Sequence, residues 1–346
     1  MFIRDKLIVF LFLFSFIKVN CYFHILVPKK LITDLKSLQN SQNSHNLPKL
    51  YSKKYCIDKW ISYKKLLRTQ NCFPTFLLNF LGGWLTIPSY KILLNKHFWI
   101  FSLITQLTMM NSMIINDLFD LKVDLINSNN RPLVKKQITI KETQCLYISI
   151  SIMIKMLSLY FFSNNYFYIY IYGINFLLFL YTPYLKKLLF IKNITCSSVV
   201  GSTILMTYKS LIQNENLNIN PNINLINITS RFLFLSSFYI ELLLDIKDQK
   251  GDKENNIVTI PIYFGEKKAL NLLIIIFIGN LLYQSSVFYK YKNYKLLLGF
   301  VLSNSIFLNS LFKLRFKSMN DEKIYNVLKC TTISLLIFII TIIYPF

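Results

Sequence analysis

Asp117, Asp120 and Asp124 stand in the stretch INDLFDLKVD, and Asp245, Asp248 and Asp252 in ELLLDIKDQKGD; both sets have the spacing D-x2-D-x3-D. At about 100° of rotation per residue, each set falls within an arc of about 60°, so its carboxylates share one helical face if the helix runs that far. Asn116 widens the first arc to about 100°, and Glu241 lies inside the second. Asparagine and aspartate oxygens of this kind suit Mg²⁺, which takes few carboxylates, keeps several waters and bridges to phosphate oxygens. The ligand this chemistry calls for is a diphosphate. Basic side chains accompany the acids: Arg131 in NNRPL, and Lys186 and Lys187 in YTPYLKKLLF. Arginine grips phosphate oxygens bidentately, and lysine supplies a mobile point charge.

The elements that must hold these groups are membrane helices. The chain has 346 residues, 53% of them apolar, and a mean hydropathy of +0.42, values typical of a polytopic membrane protein. Apolar runs recur at about 75–91, 97–115, 145–163, 165–183, 194–212, 226–244, 269–289, 294–312 and 328–346. Each is close to the ~20 residues that cross a bilayer. The expectation is an all-α, polytopic membrane bundle of about nine transmembrane helices. Asn, Ser or Thr interrupts most runs, which suits helices packed on one another. The first aspartate set ends the second run and the second set ends the sixth. Four crossings separate those ends, so both sets emerge on the same side.

A carboxylate at such a helix end is costly unless a cation sits against it. The net charge of +23 supplies cations in plenty. Residues 1–74 hold 13 Lys and Arg against three acids, so +10 of the charge lies there. Much of the rest collects in loops on one side of the helices, the orientation signal of a membrane protein. No nucleic-acid motif accompanies it, and nucleic acid is excluded as a partner. Six cysteines without paired spacing and three scattered histidines argue against a disulfide framework, a histidine metal site or a histidine base.

The N-terminus reads separately. MFIRDK followed by LIVFLFLFSFI, with Cys21 shortly after, has the pattern of a signal peptide over residues 1–21. Residues 22–74 form a basic, acid-poor, disordered leader, and the remaining domain spans 75–346. Signal peptide plus basic leader resembles the address of a plastid reached through the secretory route, the apicoplast type. A signal anchor with a tail, in the endoplasmic reticulum or a mitochondrial membrane, is the alternative.

Over residues 75–346 the segments NDLFDLKVD, INSNNRPL, YTPYLKK and DIKDQKGD…VTIPIYFGEKKA resemble the UbiA superfamily of intramembrane prenyltransferases. The resemblance implies a nine-helix bundle with a central cavity, whose two Asp-rich motifs bind a polyprenyl diphosphate through Mg²⁺. Asn116, Asp117, Asp120 and Asp124 match the first motif; Asp245, Asp248 and Asp252 match the second. Arg131 matches the basic residue after the first motif, and Tyr181 with Lys186 the Tyr/Lys pair near the fourth helix. Asp117, Asp120, Asp245, Asp248 and Lys186 are thereby the catalytic candidates. Asn116, Arg131, Tyr181, Lys186 and Lys187 are the candidates for holding the diphosphate.

INSNNRPLVKKQIT is similar to the corresponding segment of the chlorophyll synthase, homogentisate prenyltransferase and archaeal ether-lipid geranylgeranyltransferase branch. Its expected Ser-Gly is replaced by Lys135-Lys136, a departure that bears on the acceptor. The implied reaction moves a geranylgeranyl, phytyl or longer chain from its allylic diphosphate to a lipophilic aromatic or hydroxyl acceptor. Two other functions use intramembrane acids: a transporter, and a protein that binds prenyl diphosphates without turnover. Clustering of the acids at helix ends beside basic partners argues against the first, and the intact aspartate sets against the second. Lys155, within ISIMIKMLSL, is read as snorkelling rather than as facing the cavity.

Overall fold

The computed structural model describes residues 47–121, 124–125, 130–163, 167–212, 222–254, 257–316 and 321–343. The expected signal peptide, and the leader as far as residue 46, lie outside the described residues. The chain forms two compact units, Met1–Lys65 and Leu66–Phe346. Helix α1, Leu47–Leu66, supplies the described part of the first as far as Lys65, so this stretch of the leader is helical where the sequence reading expects disorder. It carries no acid in its first turn and two lysines in its last, the favourable arrangement at a helix C-terminus.

The second unit is built from α2 (Cys72–Thr86), α3 (Lys96–Phe119), α4 (Ile140–Phe162), α5 (Phe167–Tyr181), α6 (Ile191–Ile212), α7 (Ile223–Lys247), two short helices α8 (Gln249–Glu254) and α9 (Ile260–Phe264), then α10 (Glu266–Lys290), α11 (Tyr294–Phe316) and α12 (Asp321–Ile343). Among the described residues there is no strand. The long helices fall on the apolar runs of the sequence. Six of those described, α3, α4, α7, α10, α11 and α12, are long and apolar enough to cross a membrane. α5 is apolar and 15 residues long. This is an integral membrane protein.

Local chemistry sets the helix starts. Asn95 caps α3 by accepting from the His97 and Phe98 amides. Thr139 and Glu142 form a reciprocal capping box at the start of α4, and Asn222 accepts from the Leu225 amide to start α7. Each cap satisfies amides that have no partner within the helix. Several hydroxyls inside the bundle are satisfied by their own helices: Thr86 and Ser197 donate to carbonyls four residues back. In a site without water such internal pairing removes a desolvation cost.

Small residues bring α2, α6 and α7 together. A Cβ on Gly82 would meet Thr207 of α6, and one on Gly201 would meet Phe234 and the Ser230 carbonyl of α7. Ser230 Oγ donates 2.8 Å to the Gly201 carbonyl across that contact. Asn79 ties α2 to both neighbours, donating 2.6 Å to Thr105 Oγ1 of α3 and accepting 3.1 Å from Thr207 Oγ1 of α6. This is the close-packed, hydrogen-bonded contact that replaces the hydrophobic drive inside a bilayer. Aromatic side chains fill the other half, with Tyr239, Phe277 and Phe307 in mutual ring contact. The packing fixes the C-terminal ends of α3 and α7, where the aspartates stand.

Candidate active site

α3 stops at Phe119, and Asp120 closes it with φ −85° and ψ 7°, its amide donating 2.9 Å to the Asn116 carbonyl. The Asp124 amide then donates 2.8 Å to the Asp120 carbonyl. α7 stops at Lys247, and Asp248 closes it with φ −91° and ψ 10°, its amide donating 2.9 Å to Leu244. The Asp252 amide donates 3.0 Å to the Asp248 carbonyl. In both motifs the i→i+4 pattern therefore carries on through the third aspartate, which keeps the three carboxylates on one face.

The first set is buried and paired. Asp117 is 1% exposed. Its Oδ1 accepts from Arg68 Nη2 at 2.9 Å and from Arg131 Nη1 at 3.3 Å. Arg131 also reaches Asp124, Nε to Oδ2 at 3.8 Å, so one guanidinium spans the first and last aspartates. Lys186 pairs with Asp120. Asp117 Oδ2 is buried without a hydrogen-bond partner. Burial pushes the Asp124 carboxyl above the usual carboxylate range, and Arg131 opposes that rise.

The second set is held differently. Asp245 is also 1% exposed, and both of its oxygens are engaged: Lys192 pairs with Oδ1, and Asn193 Nδ2 donates 2.8 Å to Oδ2. Asp248 is exposed. Asp252 is half-buried with Oδ2 lacking a partner, and burial raises its carboxyl above the usual range against the pull of Lys192. Glu241, one turn before Asp245, faces Lys192 and Lys186. Lys186 thus joins the two sets: paired with Asp120, it lies within electrostatic reach of Asp124, Glu241 and Asp252. The motifs meet, as their shared side of the bundle requires.

The remaining candidates spread around this centre. Tyr181, at the end of α5, lies beside the Cys196 thiol of α6 and near Glu241 and Asp245. Asn116 is half-buried, its carbonyl engaged by Asp120. Lys187 is exposed and makes no ion pair among the described residues. Lys155 is likewise exposed, on α4. Lys136 has φ 54°. That left-handed backbone is the one glycine adopts without strain, so the Gly that Lys136 replaces in the resembled segment has a conformational reason.

Two cations at the centre are missing from the sequence candidates. Arg68 falls by sequence in the leader, yet it belongs to the second unit and holds Asp117. Lys192 counts by sequence only as a loop charge, yet it stands on the first turn of α6 against Asp245. The available signal was positional: each precedes or opens the helix packed against its aspartate helix.

Over residues 74–345 the chain matches the UbiA prenyltransferase family. The chain belongs to that family. It is a membrane prenyltransferase, which sets aside the transporter alternative. Similar relatives are named digeranylgeranylglyceryl phosphate synthase. The one from Methanosphaera stadtmanae is 29% identical over 64% of this chain and 78% of the relative. The one from Methanococcus maripaludis, strain S2, is 25% identical over 75% and 89%. Among solved structures, one described as a study of digeranylgeranylglyceryl phosphate synthase in membranes is 24% identical, covers 82% of this chain and 97% of its own, and has a TM-score of 0.64. A UbiA homolog from Archaeoglobus fulgidus bound to GPP and Mg²⁺ is 16% identical, covers 80% and 98%, and has a TM-score of 0.53. These structures share the UbiA fold with this chain.

Among the described residues no three His, Cys, Asp or Glu side chains converge into a ready-made metal cage. The carboxylates of this UbiA-family site instead face cations, and two buried carboxylate oxygens, on Asp117 and Asp252, have no partner. Such a donor set fits Mg²⁺, whose shell draws on few carboxylates and on phosphate oxygens and water.

Proposed function

We propose that this protein transfers a geranylgeranyl, phytyl or longer chain from an allylic diphosphate to a lipophilic acceptor, using Mg²⁺ held between its two aspartate motifs. The observation that carries the reading is the pairing of two D-x2-D-x3-D turns of matching backbone around one shared cation, Lys186. Asn116, Asp117, Asp120, Asp124, Asp245, Asp248 and Asp252 would hold the metal. When bound, Mg²⁺ neutralises charge on the diphosphate and so makes it a better leaving group.

The chain's own residues do the rest. Arg131 and Lys186 sit opposite the aspartates and carry no lone pair for a metal. They act on the diphosphate directly, where their positive charge stabilises the negative charge that accumulates as the allylic carbon–oxygen bond breaks. Tyr181 closes the centre on the α5 side, with Lys187 at its exposed rim. The surrounding apolar bundle excludes water, which protects the allylic cation until the acceptor attacks. For the acceptor, the naming of the relatives supports a hydroxyl on a prenylated glyceryl phosphate over an aromatic ring.

The test is transfer by purified protein with Mg²⁺ and labelled geranylgeranyl diphosphate. The acceptor panel contains a geranylgeranylated glyceryl phosphate, aromatic acids and homogentisate. Label in the glycerophospholipid product is the expected result; label in an aromatic product alone overturns this acceptor, and binding without transfer supports the non-catalytic alternative.

We propose further that the residues ahead of the second unit are an address leading through the secretory route to a plastid. The support is compositional, an apolar N-terminal core followed by a basic, acid-poor stretch.

A further inference from the structure

Asp117 and Asp245 hold corresponding places in the two motifs, yet they are left in different states. Asp117 keeps one buried oxygen without a partner, so a metal can bind there without displacing anything. Both oxygens of Asp245 already carry a donor, Lys192 on Oδ1 and Asn193 on Oδ2. A metal that approaches Asp245 itself therefore competes with these donors for its lone pairs. Asn193 is a short side chain, itself 2% exposed, that cannot swing away. Lys192 is a compact ammonium on a flexible four-carbon stem, 14% exposed. It is the donor built to move.

Its surroundings indicate where it goes. Besides Asp245, the Lys192 ammonium interacts with Asp252 and Glu241, so it already stands among the acids of the second motif. A metal arriving with its diphosphate adds cation to those acids and anion next to the ammonium, and both changes favour transfer of Lys192 from carboxylate to phosphate.

We propose that Lys192 is a displaceable counter-ion of the second motif: it holds Asp245 in the metal-free enzyme, yields Oδ1 to the metal, and then pairs with the diphosphate. The proposal rests on the Mg²⁺–diphosphate reading above and adds a diphosphate-binding residue to it. A purely structural lysine would behave otherwise, because its loss would misplace Asp245 and weaken metal binding.

The experiment measures Mn²⁺ binding by electron paramagnetic resonance, and thermal unfolding with and without Mn²⁺, on full-length protein in detergent. Lys192→Met should melt below wild type in EDTA, because Asp245 is left buried and unpaired. Mn²⁺ should raise its Tm by more than it raises that of wild type, and its Kd for Mn²⁺ should fall by about fivefold or more. Its KM for labelled geranylgeranyl diphosphate at saturating Mg²⁺ should rise about tenfold, the effect of one lost charge-assisted contact. Lys192→Arg tests the idea in the opposite direction and retains the charge that folding needs. A forked guanidinium holds a carboxylate more firmly, so Mn²⁺ should bind this variant more weakly than wild type. Unchanged Mn²⁺ affinity in both variants, weaker binding in Lys192→Met, or an unchanged KM overturns the proposal. Wild-type protein that binds no Mn²⁺ would instead overturn the metal–diphosphate reading itself.

Discussion

Asp120 and Asp248 close their helices with nearly the same backbone, φ −85° and ψ 7° against φ −91° and ψ 10°. Each passes its carbonyl to the amide of the third aspartate of its motif, at 2.8 and 3.0 Å. A repeat first visible as letter spacing is thus a repeat of geometry, with the middle aspartate as the hinge of each turn.

Asp120→Ala and Asp248→Ala should therefore abolish transfer without unfolding the bundle. Both residues stand at helix ends, so backbone pairing in α3 and α7 survives the change. Transfer should fall by about a hundredfold or more, the scale seen when one group stabilising developing charge is removed. Circular dichroism and Tm would report the fold. Near-normal turnover in either well-folded variant would remove the metal–diphosphate mechanism.

Arg131 and Asp124 should respond differently to added metal. Loss of the Arg131 charge-assisted contact costs on the order of 1.5–3 kcal/mol, or roughly ten- to a hundredfold in affinity or rate. Excess Mg²⁺ should not restore Arg131→Ala, whereas it should partly restore Asp124→Asn, which keeps one oxygen donor. A Mg²⁺ titration of kcat and KM separates the two. A decrease in kcat alone would mean that the arginine contact forms only as charge develops on the leaving group; full rescue of the arginine variant would refute its assignment to phosphate.

Gly201→Leu should loosen the floor of the site. A Cβ at that position would already lie 2.8 Å from the Phe234 Cβ and 3.0 Å from the Ser230 carbonyl. Overpacking of this kind costs about 1–3 kcal/mol, and here it forces apart α6, which carries Lys192 and Asn193, and α7, which carries Asp245. Lower Tm and weaker Mn²⁺ binding should appear together. A variant as stable as wild type would show that the two helices do not need this close approach.

A fluorescent reporter fused after residues 1–65 should enter the secretory route and reach a plastid in a cell that has one. Ending the fusion at Lys65 leaves Arg68 with the second unit, where Asp117 needs it. A reporter retained in the endoplasmic reticulum would favour the signal-anchor alternative.

The sequence by itself determined the class, the helices and the two aspartate turns. Those features follow from local rules: apolar runs of spanning length, caps such as Asn95 and Thr139, and a helical period that puts Asp117, Asp120 and Asp124 on one face. It also located Arg131 and Lys186, because both lie in segments that carry the family resemblance. Only the tertiary structure decided which cation meets which carboxylate. Arg68 reaches Asp117 across 49 residues and Lys192 reaches Asp245 across 53, separations at which local spacing carries no information. What selects those partners is the packing of α2 against α3 and of α6 against α7. Small residues such as Gly201 let the backbones approach, and a buried carboxylate then demands whichever cation the approach brings within reach.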